Sequence, residues 1–209
     1  MRTAKTVLTV IQERGKQKKP IERVYKLLFN RELYLNAYAK LYPNNGAMTK
    51  GVTDETVDGM SIQKIDRMIE ILREEKYQWK PARREYIKKK NGKKRPLGIP
   101  VWGDKVLQEV MRQILEAYYE PQFSEHSHGF RPNRGCHTAL QEIQVWKGTR
   151  WFIEGDISQY FDTIDHKILL EILARNIHDG RFIRLVSNML EAGYLSLIHI
   201  SEPTRHSLI

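Results

Sequence analysis

Apolar residues recur at helical spacing through most of the chain, and polar residues that favour helix ends stand at several of the boundaries. The helical spacing of apolar residues is interrupted near Asn30, and Ser61 precedes an amphipathic segment. Asp104 is a predicted N-cap of the longest apolar-periodic segment, and Asp165 of the segment that begins at residue 166. These patterns predict helices over residues 3–14, 21–41 with a break, 62–72, 104–120, 136–147, 166–175 and 179–191.

Two stretches follow the pattern of strands instead. Tyr86 and Ile87 lead to Asn91-Gly92, a strong hairpin-turn signal, and residues 95–99 are expected to return antiparallel. Residues 151–157 are aromatic or β-branched at four positions, which favours a half-buried strand. The chain is therefore expected to be α+β, rich in helix and with a small antiparallel sheet.

The charge of the chain is unevenly distributed and points to a polyanionic partner. The net charge is +10, with 24 Lys and Arg against 11 Asp and Glu in residues 1–100, and 11 against 14 in the remainder. A basic half of this kind favours RNA or DNA first and an anionic membrane surface second, while a lysine-rich solubilising surface is the plain alternative. The predicted hairpin concentrates six cations within eight residues, which can reach phosphates or simply protect an exposed edge: Lys88, Lys89, Lys90, Lys93, Lys94 and Arg95.

Composition excludes several other classes of protein. No run approaches the roughly 20 apolar residues of a membrane span, and the N-terminus does not have the pattern of a signal peptide. The one cysteine, Cys136, excludes an intramolecular disulfide and a multi-cysteine zinc site, and fits a reducing, cytoplasmic interior. His126 and His128 have no third ligand nearby in the sequence, so hydrogen-bonding roles are favoured over metal binding.

The carboxylate at the end of the second strand pattern is a candidate metal ligand. Asp156 would share one face of a strand with Phe152 and Glu154, and a bulky ring follows five residues later. From these residues alone a solvated aspartate is the simpler interpretation. Arg131 and Arg134, in an irregular loop, are positioned in sequence to reach either a phosphate or a carboxylate.

Taken together, several ordered blocks resemble the reverse transcriptases encoded by bacterial group II introns. The blocks are KGV at 50–52, RPLGIP at 95–100, the helix 106–123, HSHGFRPNRGCHTAL at 126–140 and EGDISQYFDTIDH at 154–166, and the likeness covers about residues 20–194. The resemblance implies a right-hand polymerase fold, with a basic N-terminal extension over 1–52, fingers over 53–145 and the beginning of a palm over 146–194.

The resemblance also implies roles for individual residues. Asp156 corresponds to the first metal-binding aspartate and the carbonyl of Ile157 to a further ligand, for two Mg²⁺ ions in the complete enzyme. Phe161 corresponds to the ring beneath the incoming sugar, Lys89 and Arg95 to cations that hold the triphosphate, and Arg131 to a loop near the active site. The cations expected to contact RNA are Lys50, Lys88, Lys93 and Lys94.

Two departures from the family pattern bear on activity. The aromatic-Ala-Asp-Asp motif that completes the metal site does not occur in this sequence, so the chain alone is expected not to polymerise. Residues 195–205, LSLIHISEPTR, resemble the conceptual translation of a transposase-type sequencing adapter, and we predict that residues 195–209 are not native. A divergent strand and tail is the alternative interpretation.

The resemblance implies an RNA-directed DNA polymerase with maturase-type RNA binding, whose partners are intron RNA template, DNA primer and deoxynucleoside triphosphates. Two other functions remain open at this point. The first is a non-catalytic basic RNA-binding module. The second is a bacterial reverse transcriptase that is not encoded by an intron.

Overall fold

The longest helix of the chain organises the rest of the fold. The computed structural model describes residues 2–88, 92, 94–157 and 160–196. Its α-helices are α1 (Ala4–Lys16), α2 (Arg31–Leu41), α3 (Ile62–Arg73), α4 (Trp102–Tyr119), α5 (Cys136–Gln144), α6 (Tyr160–Thr163), α7 (His166–Asn176) and α8 (Gly180–Glu191). Short 3-10 turns cover Val24–Phe29, Val57–Gly59 and Glu120–Gln122.

The strands are few and short. They are β1 (Ile21–Glu22), β2 (Ala82–Lys88), β3 (Lys94–Ile99), β4 (Ile177–His178) and β5 (Tyr194–Ser196). β2 lies between β3, to which it is antiparallel, and β5, to which it is parallel, and β1 pairs with β4 in parallel. This arrangement confirms the predicted α+β class and the predicted hairpin, whose turn residues 89–91 and 93 lie outside the described part of the chain.

One hydrophobic core surrounds α4. Its residues Val106, Leu107, Val110 and Ile114 are fully buried, and α1 and α2 pack along its length. Burying a side chain of this size stabilises a fold by about 1.5–3 kcal/mol. The same core includes residues from Ala4 in α1 to Val186 in α8, so the segments assigned to the extension, the fingers and the palm all contribute to it.

Three of the helix boundaries that the sequence indicated are confirmed by side-chain caps, at Asn30, Ser61 and Asp165. The Asn30 side chain accepts from the Glu32 N–H at 3.0 Å, which explains the break before α2. Ser61 accepts from the N–H of Lys64, and Asp165 accepts from the N–H of Ile168. Each of these bonds satisfies an N–H that the first turn of a helix leaves free.

The predicted cap at Asp104 is wrong. α4 begins earlier, with Val101 at the N-cap position, and Asp104 lies within the first turn, 3% exposed. Its carboxylate accepts from the Tyr77 hydroxyl at 2.6 Å and from the Lys80 N–H at 3.0 Å. Asp104 therefore fixes the segment that leads into β2 against the beginning of α4.

The predicted strand over residues 151–157 is also wrong. The segment has no regular secondary structure, and Trp151, Phe152, Ile153 and Ile157 are 87%, 69%, 94% and 68% exposed. A strand is stabilised by pairing with neighbours, and none of the five described strands pairs with this segment. The residue pattern of a strand is present there, but not the partner that would order it.

The predicted non-native tail begins inside β5. Leu195 and Ser196 pair with Arg83 and Arg84, and residues 197–209 lie outside the described residues. The guanidinium group of Arg84 stacks over the ring of Tyr194, 4.0 Å from its centroid.

Candidate nucleic-acid and nucleotide interface

The hairpin of β2 and β3 places two of the predicted RNA-binding lysines directly opposite each other. Lys88 pairs in register with Lys94, and both residues are exposed. Because alternate residues of a strand point to opposite faces, Tyr86 and its partner Pro96 lie on the same face as these lysines. This face of the hairpin, which we call the lysine face, joins an exposed ring to two adjacent positive charges.

Arg95, predicted to hold a triphosphate, lies on the other face of the same hairpin. Its register partner is Ile87, and Leu97 lies on the same side. Arg95 has no hydrogen bond or ion pair with any described residue, so its guanidinium group is available for an anion. We call this side the arginine face. The other predicted hairpin cations, Lys89 and Lys93, lie outside the described residues.

The basic loop before residue 53 is fixed to the root of the hairpin. Arg83, on the arginine face, donates through Nε to the carbonyl of Lys50 at 3.0 Å, and Lys105 donates through Nζ to the carbonyl of Thr49 at 3.2 Å. Gly51 packs so closely on the backbone that an added Cβ would lie 2.8 Å from the Val101 nitrogen. The loop is therefore held in one position beside the hairpin.

The charge of Lys50 is available to a ligand at low cost. Its ammonium group pairs with Asp54 at 2.9 Å, but the two side chains are 57% and 95% exposed. Exposed pairs of this kind contribute between nothing and about 1 kcal/mol. A phosphate can compete with Asp54, and since the Lys50 carbonyl binds Arg83, Lys50 lies beside the root of the arginine face.

The carboxylate of Asp156 stands in the exposed segment 151–157, next to the exposed Ile157. It makes no hydrogen bond or ion pair with a described residue. Oxygen donors suit Mg²⁺ in kind, so a carboxylate from Asp156 and a carbonyl from Ile157 fit part of a metal site. Within the described ranges there is no group of three His, Cys, Asp or Glu residues that could hold a metal.

Phe161, the predicted sugar-facing residue, lies in α6 four residues after Ile157. Its side chain lies outside the described part of the structure, so its proposed contact with the sugar remains a prediction.

Arg131, predicted to contact the nucleotide, is bonded within its own loop. Its side chain is 7% exposed and pairs with the carboxylate of Glu120 at 2.9 Å. It also donates to the carbonyls of Ser124 and Ser127 at 2.7 and 2.8 Å, and its guanidinium group lies 5.4 Å from the centre of the Phe123 ring. The sequence left open whether Arg131 binds a phosphate or a carboxylate, and in the structure it binds the carboxylate of Glu120.

The two histidines of the loop have the hydrogen-bonding roles that the sequence favoured. His126 and His128 both contact the carboxylate of Glu142 in α5, the second through Nε2 at 2.7 Å. His128 also contacts the hydroxyl of Thr138 through Nδ1 at 2.9 Å. The hydrogen bonds and charges of the two histidines lower the pKa of Glu142.

Sequence reasoning missed the roles of three acidic residues that order the site. Glu120 holds Arg131, Glu142 holds the two histidines, and Asp104 holds the root of the hairpin. Each binds a partner from a different element, and a helical pattern alone gives no signal for such a pair. The described helices include none that combines the length and hydrophobicity needed to traverse a bilayer.

Comparison with known proteins identifies the type of domain. Residues 87–205 match the family model described as reverse transcriptase (RNA-dependent DNA polymerase). The matched range begins in β2 and includes the 124–135 loop, Asp156 and α8.

Similar proteins are found in several organisms. The chain is 50% identical over 175 residues to the group II intron-encoded protein LtrA of Lactococcus lactis subsp. cremoris, a match that covers 83% of this chain and 29% of that protein. It is 46% identical over 201 residues to an uncharacterized 91 kDa protein in the cob intron of Schizosaccharomyces pombe, covering 92% of this chain and 25% of that protein. A third relative, nuclear intron maturase 1, mitochondrial, of Arabidopsis thaliana, is 36% identical over 93 residues, 44% of this chain and 13% of its own length.

Proposed function

Because the chain belongs to the reverse transcriptase family, as its motifs predicted, we propose that it forms the fingers and the beginning of the palm of an RNA-directed DNA polymerase. The chain spans about 29% of the Lactococcus relative and 25% of the fission yeast relative, so the activity proposed here is that of the longer protein. The names of these relatives refer to introns, which supports assignment to a group II intron.

The observation that carries this proposal is the separation of cations on the two faces of the hairpin. Lys88 and Lys94 on the lysine face contact the phosphates of the RNA template, together with Lys93. Arg95 on the arginine face holds the triphosphate of the incoming nucleotide, with Lys89, while Lys50 at the root contacts the template. At the level of Lys88, Lys94 and Arg95 the hairpin therefore lies between two anionic ligands, and the template also reaches its root at Lys50.

The metal-binding role belongs to Asp156 and Ile157. The reverse transcriptase family generally uses divalent metal ions. Two bound Mg²⁺ ions would activate the 3′-hydroxyl of the primer and stabilise the leaving pyrophosphate. The exposed carboxylate of Asp156, which has no partner among the described residues, supplies one anionic ligand, and Phe161 excludes a 2′-hydroxyl from the sugar position. Arg131 maintains the shape of the 124–135 loop, which places that loop near the nucleotide.

The proposed partners are intron RNA as template, a DNA primer and deoxynucleoside triphosphates, in the cytoplasm. In addition to copying RNA, the complete protein would help its intron RNA fold. The basic surface of the hairpin and the fixed loop at Lys50 support RNA binding by the present chain without catalysis.

A non-catalytic RNA-binding module is therefore the second candidate, and it describes the 209-residue chain itself. The sequence contains no aromatic-Ala-Asp-Asp motif, and the described residues contain no complete metal cluster. The test is primer extension on an RNA template with Mg²⁺. We expect none from this chain, and activity from an extended polymerase, in which the chain is joined to the C-terminal part of a reverse transcriptase that carries the motif.

We further propose the boundaries 1–52, 53–145 and 146–194 for the extension, fingers and partial palm, and a non-native origin for residues 195–209. The family match runs to residue 205, within this tail. Sequencing the source DNA beyond the Tyr194 codon tests the proposal. Adapter sequence there is the expected result, and ordinary coding sequence would refute a non-native tail.

A further inference from the structure

A cleft of about 420 Å³ lies between α3, the 3-10 turn at Val57–Gly59 and the beginning of α4. Its apolar lining includes Met60, Met68 and Ile71, above the buried Trp102, which is 3% exposed. Methionine and aromatic side chains form favourable contacts with flat rings, because sulfur is polarisable and rings stack. The lining of the cleft therefore suits a planar, unsaturated ligand.

The walls of the cleft are fixed without a ligand. Tyr77, which lines it, is hydrogen-bonded to the buried Asp104, and the backbone of Lys80 is bonded to the same carboxylate. Lys64 and Glu55, which also line the cleft, pair with each other at 2.9 Å. A preformed site of this kind spends little conformational entropy on binding.

The rim of the cleft carries an excess of positive charge. Four cations line it, namely Lys64, Arg67, Lys76 and Lys80, against two carboxylates, one of which is the internally bonded Asp104. The side chains of Arg67 and Lys80 make no hydrogen bond or ion pair with a described residue, although the charge of Lys80 acts on the Asp104 carboxylate and opposes the rise in its pKa. Because Lys80 lies two residues before β2, this rim is continuous with the root of the basic hairpin.

From this combination we propose that the cleft binds one unstacked nucleobase of single-stranded RNA, with the flanking phosphates on Arg67 and Lys80. The proposal rests on the proposed RNA binding of the chain and adds a second, base-dependent contact outside the hairpin. Proteins that bind single strands combine a basic track with side chains on which bases stack. An apolar floor and a cationic rim provide both parts here, and the volume suits one nucleotide rather than a helix of RNA.

Two probes of equal charge separate base binding from phosphate binding. The first is a fluorescent 12-nucleotide oligouridylate, and the second is an abasic ribose-phosphate oligomer of the same length. We expect the 209-residue chain to bind the oligouridylate about 10-fold more tightly than the abasic oligomer, because stacking of one base contributes binding free energy of that order.

A matched pair of variants on α3 assigns this difference to the cleft. Ile71 lines the cleft and is 37% exposed, whereas Ile62 is 53% exposed and lies outside the lining. Ile71→Glu should reduce the preference for oligouridylate to about 2-fold or less, while Ile62→Glu adds the same charge and should retain the preference. Arg67→Gln should weaken both probes equally, because both carry the same phosphates.

The outcomes distinguish this proposal from the one on which it rests. If the unaltered chain binds neither probe, the proposed RNA binding is wrong. If it binds both probes equally, or if Ile71→Glu keeps the full preference while its circular dichroism matches that of the unaltered chain, RNA binding stands and the nucleobase cleft is refuted.

Discussion

Lys88 and Lys94 are directly opposite each other in the antiparallel register of β2 and β3, with both side chains exposed. Like charges at directly opposed positions of a sheet destabilise the pairing. Neither lysine has a hydrogen bond or ion pair with a described residue that would offset the repulsion. The pair is therefore better explained by an anionic ligand on the lysine face than by the stability of the hairpin.

The first prediction concerns this lysine face. Lys88→Gln with Lys94→Gln should reduce the salt dependence of RNA binding, because each lost phosphate contact removes about 0.7 from the slope of log affinity against log salt. The measurement is a salt titration of binding to oligouridylate. Lys5→Gln, an exposed cation on α1, is the control and should leave the slope unchanged. An unchanged slope in the double variant would contradict this assignment.

The second prediction separates the arginine face from the lysine face. Arg95→Gln in the extended polymerase should raise the KM for deoxynucleoside triphosphates by about 10-fold, since a charged hydrogen bond to phosphate contributes roughly 1.5–3 kcal/mol. The affinity for template RNA should change little, because Arg95 and the two lysines lie on opposite faces. A loss of RNA affinity with an unchanged KM would reverse the assignment of the faces.

Helix boundaries set by local chemistry were predictable from the sequence, and those set by tertiary contacts were not. Asn30, Ser61 and Asp165 each bond to an N–H two or three residues away, so the signal lies within one turn. Asp104 is an aspartate near the beginning of a helix, as Asp165 is, but Tyr77 and the Lys80 N–H, 27 and 24 residues away, bind its carboxylate. No local pattern distinguishes these two uses of an acidic residue.

The candidate site was predictable in part for the same reason. The hairpin is a local structure, so its existence follows from the turn signal, but its register does not. A two-residue turn at Asn91-Gly92 would pair Lys88 with Arg95, whereas in the structure Lys88 pairs with Lys94. The segment 151–157 requires partner strands that no local signal supplies, and it is irregular and exposed in this chain. Likewise, the choice of Glu120 as the partner of Arg131 depends on how the loop folds back on α4.

The third prediction concerns the 124–135 loop. Arg131→Gln should destabilise the chain by about 2 kcal/mol, because the variant leaves the Glu120 carboxylate and two carbonyls without their charged donor. The measurement is urea unfolding followed by circular dichroism. Lys16→Gln, which removes an exposed pair with Glu13, is the control and should cost about 0.5 kcal/mol or less. Equal stabilities would show that Arg131 does not fix the loop.

The fourth prediction is a pH dependence from Asp104. Burial raises the pKa of its carboxyl, and the bonds from Tyr77 and Lys80 oppose that rise only in part. A pKa raised in the folded state means that the fold binds the proton more tightly than the unfolded chain does. The resulting stabilisation is complete below the unfolded pKa and is lost as the pH rises through the folded value.

Asp104→Asn isolates this contribution. Asparagine can still accept from the Lys80 N–H, and its amide can donate to the Tyr77 oxygen, so the geometry is retained without titration. The free energy of unfolding of the unaltered chain, measured by urea at several pH values from 3 to 7, should fall relative to the variant as the pH rises. A constant difference across that range would contradict a raised pKa.

The role of Asp156 is the central claim, and primer extension by the extended polymerase tests it most directly. With an RNA template, a DNA primer and Mg²⁺, the unaltered protein should extend the primer, and Asp156→Ala should reduce extension by about 100- to 1,000-fold, the loss expected when a group that stabilises transition-state charge is removed. RNA affinity should be the same in both proteins, because Asp156 lies outside the hairpin. Extension by Asp156→Ala at the rate of the unaltered protein would contradict the assignment of Asp156 as a catalytic metal ligand.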